Sequence, residues 1–162
     1  MANQEPELTR DGREFSGASR LVLLTESETQ SENPYKRPLE QAGYTVLVVP
    51  SGEAPAVSRK TQPALIILQL AEPAVSGLFL VRELRTQAET RGTPVITLMR
   101  FDDAHMREQI VRAGATAILI DPVKMPMLLR QMRRLLVRAL AGAHAAAPEA
   151  IPATASTEVA RV

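Results

Sequence analysis

Five short apolar runs alternate with longer amphipathic segments along the central part of the chain. The runs are Leu21–Leu24, Tyr44–Val49, Ala64–Leu68, Pro94–Met99 and Thr116–Ile120. Runs of this length without strict alternation are typical of parallel strands that helices cover on both faces. Each interval between runs is long enough for a helix, which a parallel connection requires. We therefore predict an α/β domain with a doubly wound, five-stranded parallel sheet.

The helix signals differ in strength from one interval to the next. Leucine and valine residues spaced by three positions predict a helix over Gly77–Arg91, with Ser76 as its N-cap. The first two intervals give weaker signals, because Pro34 and Pro38 interrupt the first and Pro55 delays the second.

The last two helices have visible start and stop signals. Asp102 or Asp103 can cap a fourth helix, which Gly114 ends. A fifth helix is predicted from Pro126, a residue favoured at the first helical position, to about Ala141.

Composition divides the chain into three parts. Residues 1–19 are polar and show no apolar periodicity, so we expect a flexible N-terminal arm. Residues 143–162 are rich in alanine and proline with few large apolar residues, which predicts a disordered tail. The folded domain is expected over residues 20–142.

Several kinds of function are disfavoured by composition alone. The chain has 19 lysines and arginines against 18 aspartates and glutamates, a net charge of +1, so no global field attracts nucleic acid or membrane. It has no cysteine, and its two histidines, His105 and His144, are far apart in sequence. We therefore expect no metal site and no cofactor. The polar start and short apolar runs predict a soluble, cytoplasmic protein with no membrane contact.

Four stretches resemble one known family. They are LVLLTE, ALIILQL followed by EPAVSGL, TPVITLM, and RAGATAILIDPV. Pro73, Gly77 and the pair Gly114-Ala115 stand where the family has its loop proline, loop glycine and Gly-Ala. Over roughly Arg20–Ala141 the chain resembles the CheY-like receiver domain of two-component response regulators. The resemblance implies the flavodoxin-like (βα)5 fold.

The chemistry that the resemblance implies is missing at nearly every catalytic position. The family phosphorylates an aspartate at the end of its third strand, where this chain has Gln69, and a neutral amide cannot form an acyl phosphate. Thr25 and Glu26 stand where two acidic residues bind Mg²⁺. Met99 replaces the threonine or serine that contacts the phosphoryl group, and Asp121 replaces the lysine. The chain therefore resembles a degenerate pseudo-receiver that lacks the phosphoacceptor aspartate.

Smaller expectations follow from the same alignment of residues. Ile118 stands at the position of the family's switch aromatic on strand five. The Asp121-Pro122 bond is expected to be cis, as the family has it. Gln69 is expected to form hydrogen bonds within the former phosphorylation pocket.

Two alternatives would leave some cation chemistry in place. A shifted register would put Glu26 and Ser27 at the acidic positions, without restoring the other residues. Alternatively, Glu26, Asp121 and either Asp102 or Asp103 would form a reorganised cation site. We favour the interpretation that these are solvated loop carboxylates.

The last helix carries the strongest local charge pattern. Between Lys124 and Ala141 there are five basic residues and no acidic one. Its arginines share the face opposite the apolar one and are the candidate partner-binding residues Arg130, Arg133, Arg134 and Arg138. Guanidinium groups bind carboxylates and phosphates bidentately. In the family, the surface around this helix is a usual site of dimerisation and partner contact. A solvated outer face is the alternative.

We interpret the chain as an atypical, phosphorylation-independent receiver that acts as a protein-interaction module in two-component signalling. Its partner would be a signalling protein, either a kinase or an effector, or a second copy bound through the last helix. One alternative is a nucleic-acid-binding regulator that uses the arginine face, although the low net charge and scarce aromatics disfavour it. Another is a small-molecule sensor that uses the pocket between Glu26, Gln69 and Asp121. We do not expect an enzyme, because no nucleophile, base and anion stabiliser meet at one place.

Overall fold

Five parallel strands form one sheet in the computed structural model, which describes residues 20–26, 32–70 and 75–142. The strands are β1 (Leu21–Glu26), β2 (Thr45–Pro50), β3 (Leu65–Gln69), β4 (Val95–Met99) and β5 (Ala117–Ile120). Their order across the sheet is β2-β1-β3-β4-β5, so the direction of winding reverses at β1 and β3. This order is the flavodoxin-like one. The predicted doubly wound, five-stranded parallel sheet is confirmed.

The strands are connected by helices, as the predicted alternation requires. They are α1 (Lys36–Gln41), α2 (Ala54–Thr61), α3 (Val75–Thr86), α4 (Ala104–Ala113) and α5 (Met125–Gly142). The proline-containing first helix has only six residues. Asp103 caps α4 by accepting from the backbone N–H groups of His105 and Met106, and Gly114 ends it with a left-handed φ of 116°. The predicted ends of α4 are confirmed, and those of α5, Pro126 and Ala141, are each correct to within one residue.

The prediction for the third helix is wrong at both ends. Instead of Gly77–Arg91, α3 begins before Ser76, which therefore lies inside the helix and is not its N-cap. Residues 87–93 form turns. The Thr90 hydroxyl donates to a carbonyl of the last turn of α3 at 2.6 Å, and the Arg85 guanidinium donates to three carbonyls of the turn segment. These contacts hold the segment out of the helix.

The central strands β3 and β4 are buried along their whole length. Both faces of the sheet therefore contribute to the core. One fully buried side chain from each of several helices packs against the sheet, namely Leu39, Leu84, Ile110 and Leu128. A Cβ at Gly77 would meet the end of the Leu70 side chain, which would have to shift, so α3 packs closely against the end of β3.

The predictions for residues 1–19, for residues 143–162 and for the loop proline Pro73 lie outside the described residues. The Asp121-Pro122 peptide bond is cis, as predicted. Within the described ranges, none of the helices combines the length and the hydrophobicity that a membrane span needs.

Candidate functional site

The five positions that the sequence singled out lie at one edge of the sheet. Thr25 and Glu26 are the last two residues of β1, rather than residues beyond it as expected. Gln69 ends β3, Met99 ends β4 and Asp121 directly follows β5. Thr25, Gln69 and Met99 are buried, while Glu26 and Asp121 are half-buried. Parallel strands bring their carboxyl ends together, and in such sheets this edge beside the reversal of strand order is the usual ligand site.

Thr25 links β1 to β3 through its side chain. The backbone pairing of these strands extends to Leu24 and Ile67. Beyond that point, the Thr25 hydroxyl accepts a hydrogen bond from the backbone N–H of Gln69 at 2.8 Å. The hydroxyl therefore occupies the place of a backbone acceptor and fixes the end of β3.

Asn33 binds the Gln69 side chain. Its Nδ2 lies 3.0 Å from Gln69 Oε1 and 3.3 Å from the Thr25 carbonyl oxygen, and it donates to both. Its Oδ1 accepts from the backbone N–H of Tyr35 at 3.1 Å, and the residue is buried. The expectation that Gln69 forms hydrogen bonds within the pocket is confirmed. Gln69 stands where the family has its phosphorylated aspartate, and its side-chain oxygen accepts a hydrogen bond from the neutral amide of Asn33.

Tyr35 binds Asp121 in the same region. Its hydroxyl donates to Asp121 Oδ1 and accepts from the backbone N–H of Val123 at 3.1 Å. Burial raises the pKa of Tyr35 to about 12, and the hydrogen bond to Asp121 acts in the same direction. The phenol therefore stays protonated at neutral pH. It gives Asp121 a neutral donor at the position where the resemblance places a lysine.

Three of the four acidic side chains expected in a reorganised cation site form separate contacts. Asp103 caps α4, and Asp102 lies 3.0 Å from the Nε of Arg107. Asp121 accepts from Tyr35. Across residues 20–26, 32–70 and 75–142, no three histidine, cysteine, aspartate or glutamate side chains are grouped so that they could hold a metal ion.

Sequence reasoning missed both Asn33 and Tyr35. They lie between β1 and α1, in the first interval between apolar runs, where Pro34 and Pro38 weaken the helix signal. Two signals were available: the Asn33-Pro34 pair is a turn former, and Tyr35 is one of two tyrosines in a chain that is 3% aromatic. Neither signal indicates which strand ends the side chains reach.

The last helix has the amphipathic character that its sequence predicted. Leu128, Met132, Leu135 and Leu136 are buried against the sheet. The four candidate arginines are exposed, namely Arg130, Arg133, Arg134 and Arg138. Two apolar side chains are exposed among them, Val137 at 55% and Leu140 at 41%. The outer face of α5 is thus basic with an apolar component, which the charge pattern alone did not predict.

One of these arginines also contacts another element. Burial raises the pKa of the Tyr44 hydroxyl, and the positive charge of the nearby Arg133 guanidinium opposes that shift. Tyr44 immediately precedes β2. Arg133 therefore marks the flank of α5 that faces the start of β2, whereas Arg130 and Arg138 lie further round the helix.

Comparison with known proteins identifies the family. The sequence model of the response regulator receiver domain family matches residues 22–133. The polar-differentiation response regulator DivK of Brucella ovis is 27% identical over 116 residues, which cover 71% of this chain and 94% of DivK. The signal receiver domain of a signal transduction histidine kinase from Syntrophus aciditrophicus is 30% identical. It superposes with a TM-score of 0.63, covering 80% of this chain and 95% of that one.

A second solved structure gives the same result. The Vibrio cholerae chemotaxis protein CheY4 is 25% identical with a TM-score of 0.64, and the match covers 71% of this chain and 97% of that one. The sheet order, the site at the strand ends and these matches agree, and the chain belongs to the response regulator receiver domain family.

Proposed function

We propose that this chain is a receiver domain that works without aspartate phosphorylation, as a non-enzymatic protein-interaction module of two-component signalling in the cytoplasm. The observation that carries the proposal is the pair of neutral contacts at the strand ends, Asn33 to Gln69 and Tyr35 to Asp121. Phosphoryl transfer needs an acceptor carboxylate and cations around the incoming phosphate. The polar side chains at this edge are two amides, two hydroxyls and two carboxylates, and the end of β3, where the family has its acceptor carboxylate, carries the Gln69 amide.

The same contacts support a single resting conformation. Asn33 and Tyr35 join the segment before α1 to the ends of β1 and β3 and to the loop after β5. A small-molecule sensor would bind its ligand between Glu26, Gln69 and Asp121. We propose that Asn33 and Tyr35 take the place of such a ligand, because they bind the Gln69 and Asp121 side chains. Signal output then depends on which partner binds, rather than on a chemical change at the pocket.

The outer face of α5 is the surface that we assign to the partner. It presents exposed arginines and two exposed apolar side chains on one helix with no acidic residue. Arginine with an exposed apolar neighbour is typical of protein contact surfaces, and charge complementarity speeds encounter with an acidic partner. The partner is a signalling protein such as a kinase or an effector, with a second copy of this chain as the other outcome.

An affinity capture from source-cell lysate tests the proposal. The Arg130→Glu/Arg138→Glu variant reverses charge on α5 and avoids Arg133, which contacts Tyr44. The Arg59→Glu/Lys60→Glu variant makes the same charge change on exposed positions of α2 and is the matched control.

We expect the intact chain and the α2 control to capture the same protein, equally with and without acetyl phosphate and Mg²⁺. The α5 variant should lose at least about tenfold of that protein, because a reversed charge pair at an interface costs more than 1.4 kcal/mol. Capture that requires acetyl phosphate, or that nuclease treatment abolishes, would overturn the proposal, the latter in favour of nucleic-acid binding.

A further inference from the structure

We propose that the acidic segment before β1, residues 5–15, docks on the outer face of α5 and covers its arginines until a partner displaces it. The inference rests on the proposed function, because it assigns a first occupant to the surface that the partner uses. Within the described ranges, the α5 face is the one that combines several exposed arginines with exposed apolar side chains.

The chain enters the sheet close to this face. Leu21 pairs with Thr45, so Arg20 lies beside Tyr44 at the start of β2. The Arg133 guanidinium of α5 reaches the same Tyr44 hydroxyl. The segment before β1 therefore joins the domain next to the middle of α5.

The distance from this junction to the arginines is short compared with the reach of the segment. An α-helix rises about 1.5 Å per residue, so Arg130 and Arg138 lie within about 8 Å of Arg133 along the helix axis. Glu14 is six residues before Arg20 and can extend about 20 Å from it. The acidic residues nearer the start can extend further, so the segment can follow the exposed face along its length.

The charges of the two elements are complementary. Residues 1–19 contain four acidic side chains against two arginines, 4 − 2 = 2 net negative charges. The acidic residues are Glu5, Glu7, Asp11 and Glu14. Helix α5 contains four arginines and no acidic residue. An intramolecular encounter also benefits from the high effective concentration of a tethered segment.

The segment also supplies apolar side chains for the apolar part of the face. Leu8 and Phe15 are its large apolar residues, and Val137 and Leu140 are exposed on α5. A purely electrostatic contact would be screened by salt, whereas burial of apolar surface adds a stabilisation that persists. We infer that an external partner is likewise an acidic segment with apolar residues, because it must replace these contacts.

The chain has no cysteine, so a single Thr9→Cys substitution carries one nitroxide label without competing sites. Paramagnetic broadening of backbone amide signals then reports where the segment lies in the full chain. We expect strong broadening at residues 130–141 of α5 and weak broadening over α2. Raising the salt from 0.1 to 1 M shortens the Debye length from about 10 to about 3 Å, so the α5 broadening should fall by at least about half.

Two variants decide the interpretation. Glu5→Gln, Glu7→Gln, Asp11→Gln and Glu14→Gln together should abolish the preference for α5, as should Arg130→Glu/Arg138→Glu, while Arg59→Glu/Lys60→Glu should leave it intact. Equal broadening of α5 and α2, or no response to these variants, would overturn the inference. A control sample mixes nitroxide-labelled chains without isotope enrichment with isotope-enriched chains that carry no nitroxide. Broadening of α5 in that sample would also overturn the inference, because it would show that the segment contacts a second copy of the chain.

This test involves no partner and no phosphodonor, so its failure leaves the proposed function standing. If the inference holds, the neutralised segment should increase partner capture several-fold, because the partner no longer competes with a tethered occupant. If the proposed function fails while the broadening is observed, the segment covers α5 for a reason other than partner control.

Discussion

At the scale of single residues, two side chains from one short segment bind the polar side chains at the ends of β3 and β5. Asn33 binds Gln69, and Tyr35 binds Asp121. The positions of Gln69 and Asp121 could be predicted, because the end of an apolar run locates the end of a strand. Their partners could not, because the path between β1 and α1 has no periodicity and depends on tertiary contacts.

Removing the Tyr35 hydroxyl tests the second of these contacts. Tyr35→Phe leaves the Val123 N–H and the Asp121 carboxylate without this partner, so we expect the free energy of unfolding at pH 7 to fall by about 1–3 kcal/mol. Urea denaturation measures it. An unchanged free energy would show that the hydroxyl contributes nothing to the fold.

The same variant predicts a pH dependence. The pKa of Tyr35 is about 12 in the folded chain and close to 10 when the chain is unfolded. Below pH 10 both states keep the proton, and between pH 10 and 12 only the folded state keeps it. Stability from Tyr35 is therefore complete below pH 10 and is lost as the pH rises through 12. The stability of the intact chain should fall more steeply over this window than that of Tyr35→Phe.

Restoring the acceptor carboxylate alone should not restore phosphorylation. Gln69→Asp places a carboxylate at the end of β3, but Asp121 remains an anion where phosphate needs a cation, and Met99 offers no donor. We expect no phosphoryl adduct on this variant after incubation with acetyl phosphate and Mg²⁺, by intact mass. An adduct would mean that Gln69 is the sole barrier to phosphorylation.

At the scale of elements, the helices with visible caps were predicted and the helix ended by tertiary contacts was not. Asp103 and Gly114 mark the ends of α4 in the sequence itself. The end of α3 depends on Arg85, whose half-buried guanidinium donates to carbonyls of the following turn and, at 2.7 Å, to the Gly114 carbonyl. Burial lowers the pKa of Arg85. No pattern local to α3 encodes these contacts.

Gly114 should therefore be hard to replace. Its φ of 116° disfavours any residue with a Cβ, and that Cβ would lie 2.6 Å from Cγ of Arg85. We expect Gly114→Ala to lower the free energy of unfolding by at least about 1–2 kcal/mol in urea. Gly92→Ala is the control, since a Cβ there meets nothing within 4 Å. Equal effects of the two substitutions would contradict this reading of the turn.

At the scale of the whole molecule, the net charge of +1 hides a separation of charge. Arginines concentrate on α5, and acidic residues concentrate in the segment before β1. The sequence pattern predicted the basic face because arginines spaced by three or four residues lie on the same side of a helix. It could not show that Arg133 reaches Tyr44, because that contact joins residues 89 positions apart.

The outer face of α5 should serve binding rather than folding. Exposed charges contribute little to stability, so Arg130→Glu/Arg138→Glu should change the free energy of unfolding by less than about 1 kcal/mol. Urea denaturation of this variant beside the intact chain measures it. A larger loss would mean that reduced capture by this variant reflects damage to the fold.

Intact mass spectrometry of the wild-type chain after incubation with acetyl phosphate and Mg²⁺ tests whether this receiver domain works without aspartate phosphorylation. A receiver domain that retains the acceptor aspartate, treated in parallel, shows that the phosphodonor is active. We predict an unchanged mass for this chain beside a phosphorylated control. A phosphoryl adduct on any aspartate or glutamate of this chain would contradict it.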